Sequence, residues 1–293
     1  MKAELLDVVA CVSNPIQWKS RIELYRKFEQ HMVESGVRLT IIEAAFGDRP
    51  FEIVATPGVN LIQVRAKTLI WNKENLLNLA IQRLPSDWKY VCWADSDILF
   101  RDGDWAEKTV HALQMYDVIQ PFADCYDLGP NGEHMAVHKS FCRLYHEGKP
   151  IFAKGPYEFA HPGYAWAATR RAINHLGGLL ETAALGAGDH HMALALISRG
   201  EASVPGGIHP NYLQYVAAWQ KRAETHIRRN IGFVPGTIEH MWHGSKVNRK
   251  YVDRWSILTK HNFDPVNDMQ KNWQGVIELS GNKPGLRHDI DRY

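Results

Sequence analysis

"YVCWADSDILF", Tyr90 to Phe100, sets Asp95 and Asp97 one residue apart inside an apolar run. Unpaired in a core, each carboxylate would cost on the order of several kcal/mol or take up a proton. Either a turn interrupts the run, or something cationic sits between the two acids. Residues i and i+2 of a strand share a face, so a strand through this stretch would aim both carboxylates at one point. Two converging carboxylates suit a hard divalent cation that keeps open positions for a diphosphate. Asp and Ser also favour turns and caps, and Asp-x-Asp alone is a weak signal. The apolar residues on both sides place the pair at the end of a core strand, and in open α/β sheets that edge is where ligands sit.

The flanking sequence fits such a sheet. "LLDVVACVS" (Leu5 to Ser13) reads as a buried strand, and "IQWKSRIELYRKFEQHMVESG" as a helix closed by Gly36. "VRLTIIEAAFG" and "GVNLIQVRA" read as strands, and "TLIWNKENLLNLAIQRLP" as a helix ending before Pro85. Strand, helix, strand, strand, helix, strand is the order of an α/β chain with a mainly parallel sheet. A helix over Asp104 to Met115 and the strand "DVIQPF" follow. Residues 123–163, rich in Gly, Pro, His and aromatics, read as a long connection of the kind that carries function. "GYAWAATRRAINHLGGLLE" restores order, "DHHMALALISRG" is helical, and the tail after Gly232 reads as irregular ahead of a last helical stretch.

With 293 residues, 45% of them hydrophobic and 23% charged, the chain can bury one large core, and no linker or repeat divides it. A formal charge of +2 gives no global field for a polyanion but leaves room for a local basic groove. No run is long enough to span a bilayer and the first residues lack a signal-peptide pattern, so no membrane anchor is expected. The four irregularly spaced cysteines fit a reduced, cytoplasmic protein. Ten tryptophans and eleven tyrosines suit sugar or base stacking, and serve cores equally well.

"WNKENLLNLAIQRLPSDWKYVCWADSDILF" resembles the nucleotide-sugar-binding half of GT-A glycosyltransferases, above all the beta-1,4-galactosyltransferase group. In that group a helix opening with Asn-Arg and carrying a Leu-Leu-Asn run precedes a strand ending in Asp-x-Asp. Asn72-Lys73 and Leu76-Leu77-Asn78 stand in the matching places. "HPGYAWAATRRAINHLGGLLE" is similar to the group's Gly-Gly strand and helix, and "LGAGDHHMALALI" takes the place of its Gly-Gly-Glu-Asp-Asp segment. "EHMWHGSKVNRKYVDR" is similar to its late metal-binding segment. The order of these four elements, over roughly Leu61 to Arg254, carries the resemblance more than any one motif.

The resemblance implies a single GT-A domain, Rossmann-like, with 1–122 as the nucleotide-sugar-binding half and 123–293 as the acceptor-binding and C-terminal half. It implies Mn²⁺ or Mg²⁺, a UDP-sugar donor, and hexosyl or pentosyl transfer to a hydroxyl. Asp97 matches the direct metal ligand, while Asp95 would contact the ribose or complete the metal shell. His243 would be the distant metal ligand, with His240 as its rival. Lys246 and Arg249 beside it suit a diphosphate, as does Lys73 on the Asn-Arg position. Ser13, Asn14 and Arg21 follow the first strand, where this fold holds the nucleoside; Glu43 and Phe46, after the second, are placed for the pyrimidine. Asp189 would be the general base, its other reading being an N-cap for the helix at "HHMAL". The acidic cluster is reduced here to Gly188-Asp189-His190-His191, which keeps His190 as a rival base. An in-line, inverting displacement follows if the likeness holds this far, although retaining GT-A enzymes share the motifs. Candidate acceptors are a glycan, a protein, or a hydroxymethylated pyrimidine of DNA.

Two further features compete. His134, His138, Cys142 and His146 recur every four residues and would suit zinc if 133–147 is helical, but the stretch reads better as an ordinary amphipathic helix. "KRAETHIRR" (Lys221 to Arg229) reads as a solvated helix face open to a polyanion. Paired acids also serve metal-dependent phosphodiesterases and phosphatases, and a catalytically silent sugar- or nucleic-acid-binding module is a third reading.

Overall fold

Period-2 burial builds the central sheet. In β1 (Leu6–Ser13), Leu6, Val8, Ala10 and Val12 join one apolar cluster while Val9 joins the other. The computed structural model describes residues 5–151, 160–244 and 253–293. Next come α1 (Lys19–Glu34), β2 (Arg38–Phe46), β3 (Val59–Ala66), α2 (Lys73–Ile81), β4 (Tyr90–Ala94), β5 (Ile98–Phe100) and α3 (Trp105–Ala112). The middle of the chain gives β6 (Val118–Gln120), β7 (Asp124–Leu128), β8 (His134–Lys139), α4 (Phe141–His146), β9 (Ala165–Thr169), α5 (Arg170–Leu176) and α6 (Gly188–Leu196). The last part holds α7 (Pro210–His226), β10 (Ile231–Phe233), β11 (Thr237–His240), α8 (Asp253–Lys260), β12 (Met269–Lys271), β13 (Ile277–Leu279) and α9 (Pro284–Asp291).

Seven strands form the main sheet in the order β10-β6-β9-β4-β1-β2-β3. All neighbours run parallel except β9, which is antiparallel to both β4 and β6. Helices cover both faces. Tyr25, Phe28 and Met32 of α1 and Trp105 and Val110 of α3 fill one side; Leu76 and Leu77 of α2, with α5, α6 and α7, fill the other. The α/β expectation with a mainly parallel sheet therefore holds. Among the described residues no helix is long and apolar enough to cross a membrane.

Four expectations need correction. The run Tyr90 to Phe100 is two strands rather than one. β4 ends at Ala94, a turn passes through Ser96 and Asp97, and β5 joins a second sheet of order β5-β11-β7-β8. The i, i+2 argument for Asp95 and Asp97 fails there, because neither acid lies in a strand. Residues 123–163 are not a plain connection: β7, β8 and α4 occupy much of them. The segment 133–147 is the strand β8 followed by the short helix α4, so the four-residue spacing of His134, His138, Cys142 and His146 does not line one helical face. The tail after Gly232 also carries regular elements, from β11 to α9.

Candidate active site

The turn after β4 lies at the carboxyl edge of the parallel sheet, and β5 pairs antiparallel with β11, setting Ile98 opposite His240. Met241 N–H donates to the Asp97 carbonyl (2.9 Å), which ties the late segment to the turn. Asp97, His240 and His243 are thereby gathered so that one ligand atom from each lies within 4.8 Å of the others, the one such group of metal-binding type among the described residues. Asp97 Oδ2 is 3.4 Å from His243 Nε2, and Asp97 Oδ1 is 3.7 Å from His240 Nε2. The two imidazole Nε2 atoms stand 3.2 Å apart. Buried Asp97 Oδ1 has no hydrogen-bond partner among the described residues, an orphan that a bound cation would satisfy.

His240 is oriented for that task by Asp127. Its Nδ1 lies 2.8 Å from Asp127 Oδ1; a carboxylate only accepts, so Nδ1 carries the proton and Nε2 presents its lone pair toward Asp97. Asp127 also receives His138 Nε2 (2.8 Å) and Tyr164 Oη (3.2 Å). Tyr164 stands at φ 76° and accepts the Asp95 N–H on its carbonyl at 2.7 Å, and its ring lies 5.1 Å from that of His240. A non-glycine residue held in that region is a strained position of the kind found at functional sites. The two imidazoles are donors that suit zinc and its transition-metal neighbours, and the carboxylate is one that suits Mn²⁺ or Mg²⁺.

Cations surround the acids. Arg21 Nη1 donates to Asp97 Oδ2 at 3.0 Å, and Lys73 Nζ contacts Asp95 Oδ1. Burial opposes charge on Asp97, but His240, Arg21 and His243 outweigh it and hold the carboxyl below its ordinary range. For Lys73 burial is likewise outweighed, here by Asp95 and Asp189, and its ammonium is held more firmly than usual. The opening pair of acids is thus split. Asp97 belongs to the histidine cluster, and Asp95 faces Lys73.

Asp189 reaches the same region from α6. Ala187 (φ 85°) occupies the cap position and Asp189 lies in the first turn, so the N-cap reading is corrected; Asp189 Oδ1 accepts the His190 N–H at 2.8 Å. A Cβ on Gly163 would stand 3.0 Å from His161 Cε1 and 3.1 Å from Asp189 Oδ2, so the glycine keeps clear the space that these two groups face. His161 stacks on Tyr164 (4.2 Å, 12°), which links this space to the metal-type cluster. Burial holds His190 below the ordinary imidazole range.

The remaining sequence candidates are dispersed. Ser13 ends β1 near the turn. Asn14 is engaged by Glu52 (2.8 Å) and the Trp18 backbone (3.0 and 3.1 Å), as an Asx-type brace. Glu43 is buried and accepts the N–H groups of Glu52 (2.6 Å) and Ile53 (3.3 Å) and the Gln63 amide (2.9 Å). Phe46 is buried at the end of β2. Lys246 and Arg249 lie outside the described residues. His134 stacks on Tyr126, and His146 bonds the Ile231 carbonyl, so neither joins a metal group. Asp127, His161 and Glu74 escape the sequence argument; the alternation in "DCYDL" of β7 is the sole hint of a buried Asp127.

Two outcomes are expected here. Asp127→Asn removes the charge that orients His240 and should weaken Mn²⁺ binding about 10–100-fold, as read by calorimetry beside a thermal melt; unchanged affinity would exclude that role. Glu74 packs where a Gly188 side chain would go, a Cβ there lying 2.5 Å from its carboxyl carbon. Burial, opposed by Lys73 and aided by Asp189, lifts its pKa to about 7 from 4.5. The folded chain keeps a proton that the unfolded chain releases, so this group's contribution to stability falls as pH rises from 4.5 to about 7. Glu74→Gln should flatten that fall and melt above the parent chain at pH 8 by about 2–4 °C for each kcal/mol recovered. Parallel Tm–pH curves for the two proteins would count against it.

No protein-family profile matches the chain, and no curated protein does. Solved structures do. A mutant Drosophila beta-1,4-galactosyltransferase 7, complexed with manganese, UDP-Gal and xylobiose, is 10% identical over 94% of this chain and 92% of its own, with a TM-score of 0.42. A putative nucleotide-diphospho-sugar transferase from Desulfovibrio desulfuricans is 14% identical over 82% of each chain, with a TM-score of 0.37. TarS from S. aureus is 13% identical over 78% of this chain and 74% of its own, with a TM-score of 0.39. Overlap of this size says nothing of substrate or mechanism.

Proposed function

We propose that the chain is a metal-dependent glycosyltransferase of GT-A type that moves a sugar from a UDP-sugar to a hydroxyl acceptor. The observation that carries this reading is the Asp97–His240–His243 cluster at the carboxyl edge of the sheet, with an orphaned Asp97 oxygen and the cations Arg21 and Lys73 beside it. Asp97, His240 and His243 would hold Mn²⁺ or Mg²⁺. Such an ion supplies Lewis-acid stabilisation of charge on the departing diphosphate. Arg21 and Lys73 add fixed positive charge for the same phosphates. Asp189, with His161 across the gap over Gly163, takes the proton as the acceptor oxygen bonds to the anomeric carbon and the bond to UDP breaks. One base acting opposite the leaving group gives inversion. No disulfide joins any of the four cysteines, which fits a reducing, cytoplasmic setting and an acceptor found there.

A UDP-release screen tests this, pairing several nucleotide sugars with glycan, protein and hydroxymethylated DNA acceptors. Release that needs both metal and one acceptor supports transfer. One carboxylate with two imidazoles is also a donor set of hydrolytic metal sites, so equal release without any acceptor would favour a hydrolase. Metal-dependent UDP binding with no release in any pairing would leave a binding module.

A further inference from the structure

At the edge of the sheet opposite the Asp97 cluster, two concavities adjoin. The first, of about 430 Å³, is lined by Asp117, Arg171, His175, His226, Arg228 and Asn230, among others. The second, of about 610 Å³, is lined by Lys89, Tyr90, Arg170 and Arg171 among others, so Arg171 belongs to both. Lys89 immediately precedes β4, Asp117 precedes β6 and Asn230 precedes β10, which fixes the track at the amino ends of these parallel strands. Asp97 follows the other end of β4.

The track is basic and exposed. Lys89, Arg170, Arg171, His175, His226 and Arg228 all face solvent. Of the two acids along it, Asp87 is exposed, and Asp117 lies buried beneath Arg171, 2.6 Å from its Nη2. His175 and His226 stack face to face at 4.3 Å and 9°. Arg170 lies over the buried Trp88 ring at 5.3 Å, with its Nη1 donating to the Ser86 carbonyl at 2.5 Å. After α7 the chain holds Arg228 and Arg229 in the left-handed region, at φ 53° and 61°. Two such residues in succession cost roughly 1–2 kcal/mol each, and strain of that kind points toward function. In a protein of formal charge +2 this is a local concentration of positive charge.

We propose that this track binds the phosphodiester backbone of a nucleic acid strand. Planar guanidinium forks match phosphate oxygens bidentately, and a concave run spanning two adjoining hollows suits a chain better than a flat lipid surface. The exposed imidazoles of His175 and His226 beside the cations add stacking surface for bases. The site is separate from the Asp97 cluster, and a strand held there is anchored rather than at the reacting centre.

The test is fluorescence anisotropy of a labelled single-stranded oligonucleotide of about 15 nucleotides, long enough to exceed one typical binding unit, titrated with the full chain at several salt concentrations. Arg171→Gln with Arg228→Gln should raise Kd about tenfold or more and lower the salt slope by about 1–2. Mn²⁺ and UDP affinity should stay unchanged, which shows that the variant is folded. Gln is chosen at 171 because it keeps a donor for buried Asp117. If loss of that ion pair still unfolds the edge, Arg170→Gln with Arg228→Gln reads the same groove with Arg171 intact. No binding by the parent chain at low salt, or equal binding by the folded variants, overturns the proposal. So does sedimentation with phosphatidylserine vesicles through the same arginines while the oligonucleotide stays free.

Discussion

Asp97→Ala should abolish metal-dependent UDP binding while leaving the fold in place. The substitution removes one of the three proposed protein ligands, so Mn²⁺ affinity should fall by more than the roughly 10–100-fold expected for an outer partner such as Asp127. The chain around it does not depend on the carboxylate: the Asp97 carbonyl keeps the Met241 N–H, and the β5–β11 ladder is made by backbone. Arg21 is partly exposed and can turn to water. Calorimetry with Mn²⁺ and UDP, beside a melt of the metal-free protein, checks both halves. Undiminished Mn²⁺-dependent UDP affinity would defeat the metal assignment. Collapse of the melt would show Asp97 to be a structural acid instead.

Asp189→Asn should cut kcat by on the order of 10²-fold or more, with little change in donor affinity, because a general base acts on the acceptor. The substitution is clean locally. Ala187 and not Asp189 sits at the cap of α6, and an Asn Oδ1 can still accept the His190 N–H. Near-normal turnover would remove Asp189 from the chemistry. His190, held below its ordinary pKa by burial, would then become the better base, and a retaining mechanism would need to be considered. A variant pair at His240 and His243 divides the metal cluster further. Both stand beside Asp97, so each replacement by Ala should weaken Mn²⁺ binding, and a silent replacement at either would strike that residue from the ligand set.

The main sheet is legible in the sequence because its strands are apolar on both faces, and continuous apolar runs separated by periodic helices admit few other folds. Asp97 is legible for a different reason: a charged residue interrupts a run that otherwise buries, whereas His240 and His243 are legible only through the resemblance of "EHMWHGSKVNRKYVDR" to a late metal-binding segment. The second sheet is not legible. Its strands β5, β7, β8 and β11 are short, and β8 is exposed along most of its length, so Met135 and Val137 lack the buried partner that would mark a strand. The same four-residue spacing that suggested a helix over 133–147 is broken by Ser140, whose side chain caps α4 by accepting the Arg143 N–H at 3.3 Å. Asp127 is hidden because its partners, His138, Tyr164 and His240, come from other strands or their ends and no spacing rule links them to it. Asp95 reads in the sequence as a ribose contact or part of a metal shell and not as the partner of Lys73, since no spacing rule connects the two.

The handover from β4 to β5 has a consequence for how the molecule is made. The acid at the turn belongs to the first third of the chain, while the imidazoles opposite it arrive only with β11, through three residue pairs between β5 and β11. A slip of one residue in that short ladder would turn His240 to the other face. Pairing over such a separation is among the slower steps of folding. During synthesis, Asp97 must wait for most of the remaining chain to emerge before its ligand partners exist. At the proposed site, ion uptake would therefore report the docking of β11: Mn²⁺ added to a refolding chain should be captured at the rate at which this late strand pairs with β5.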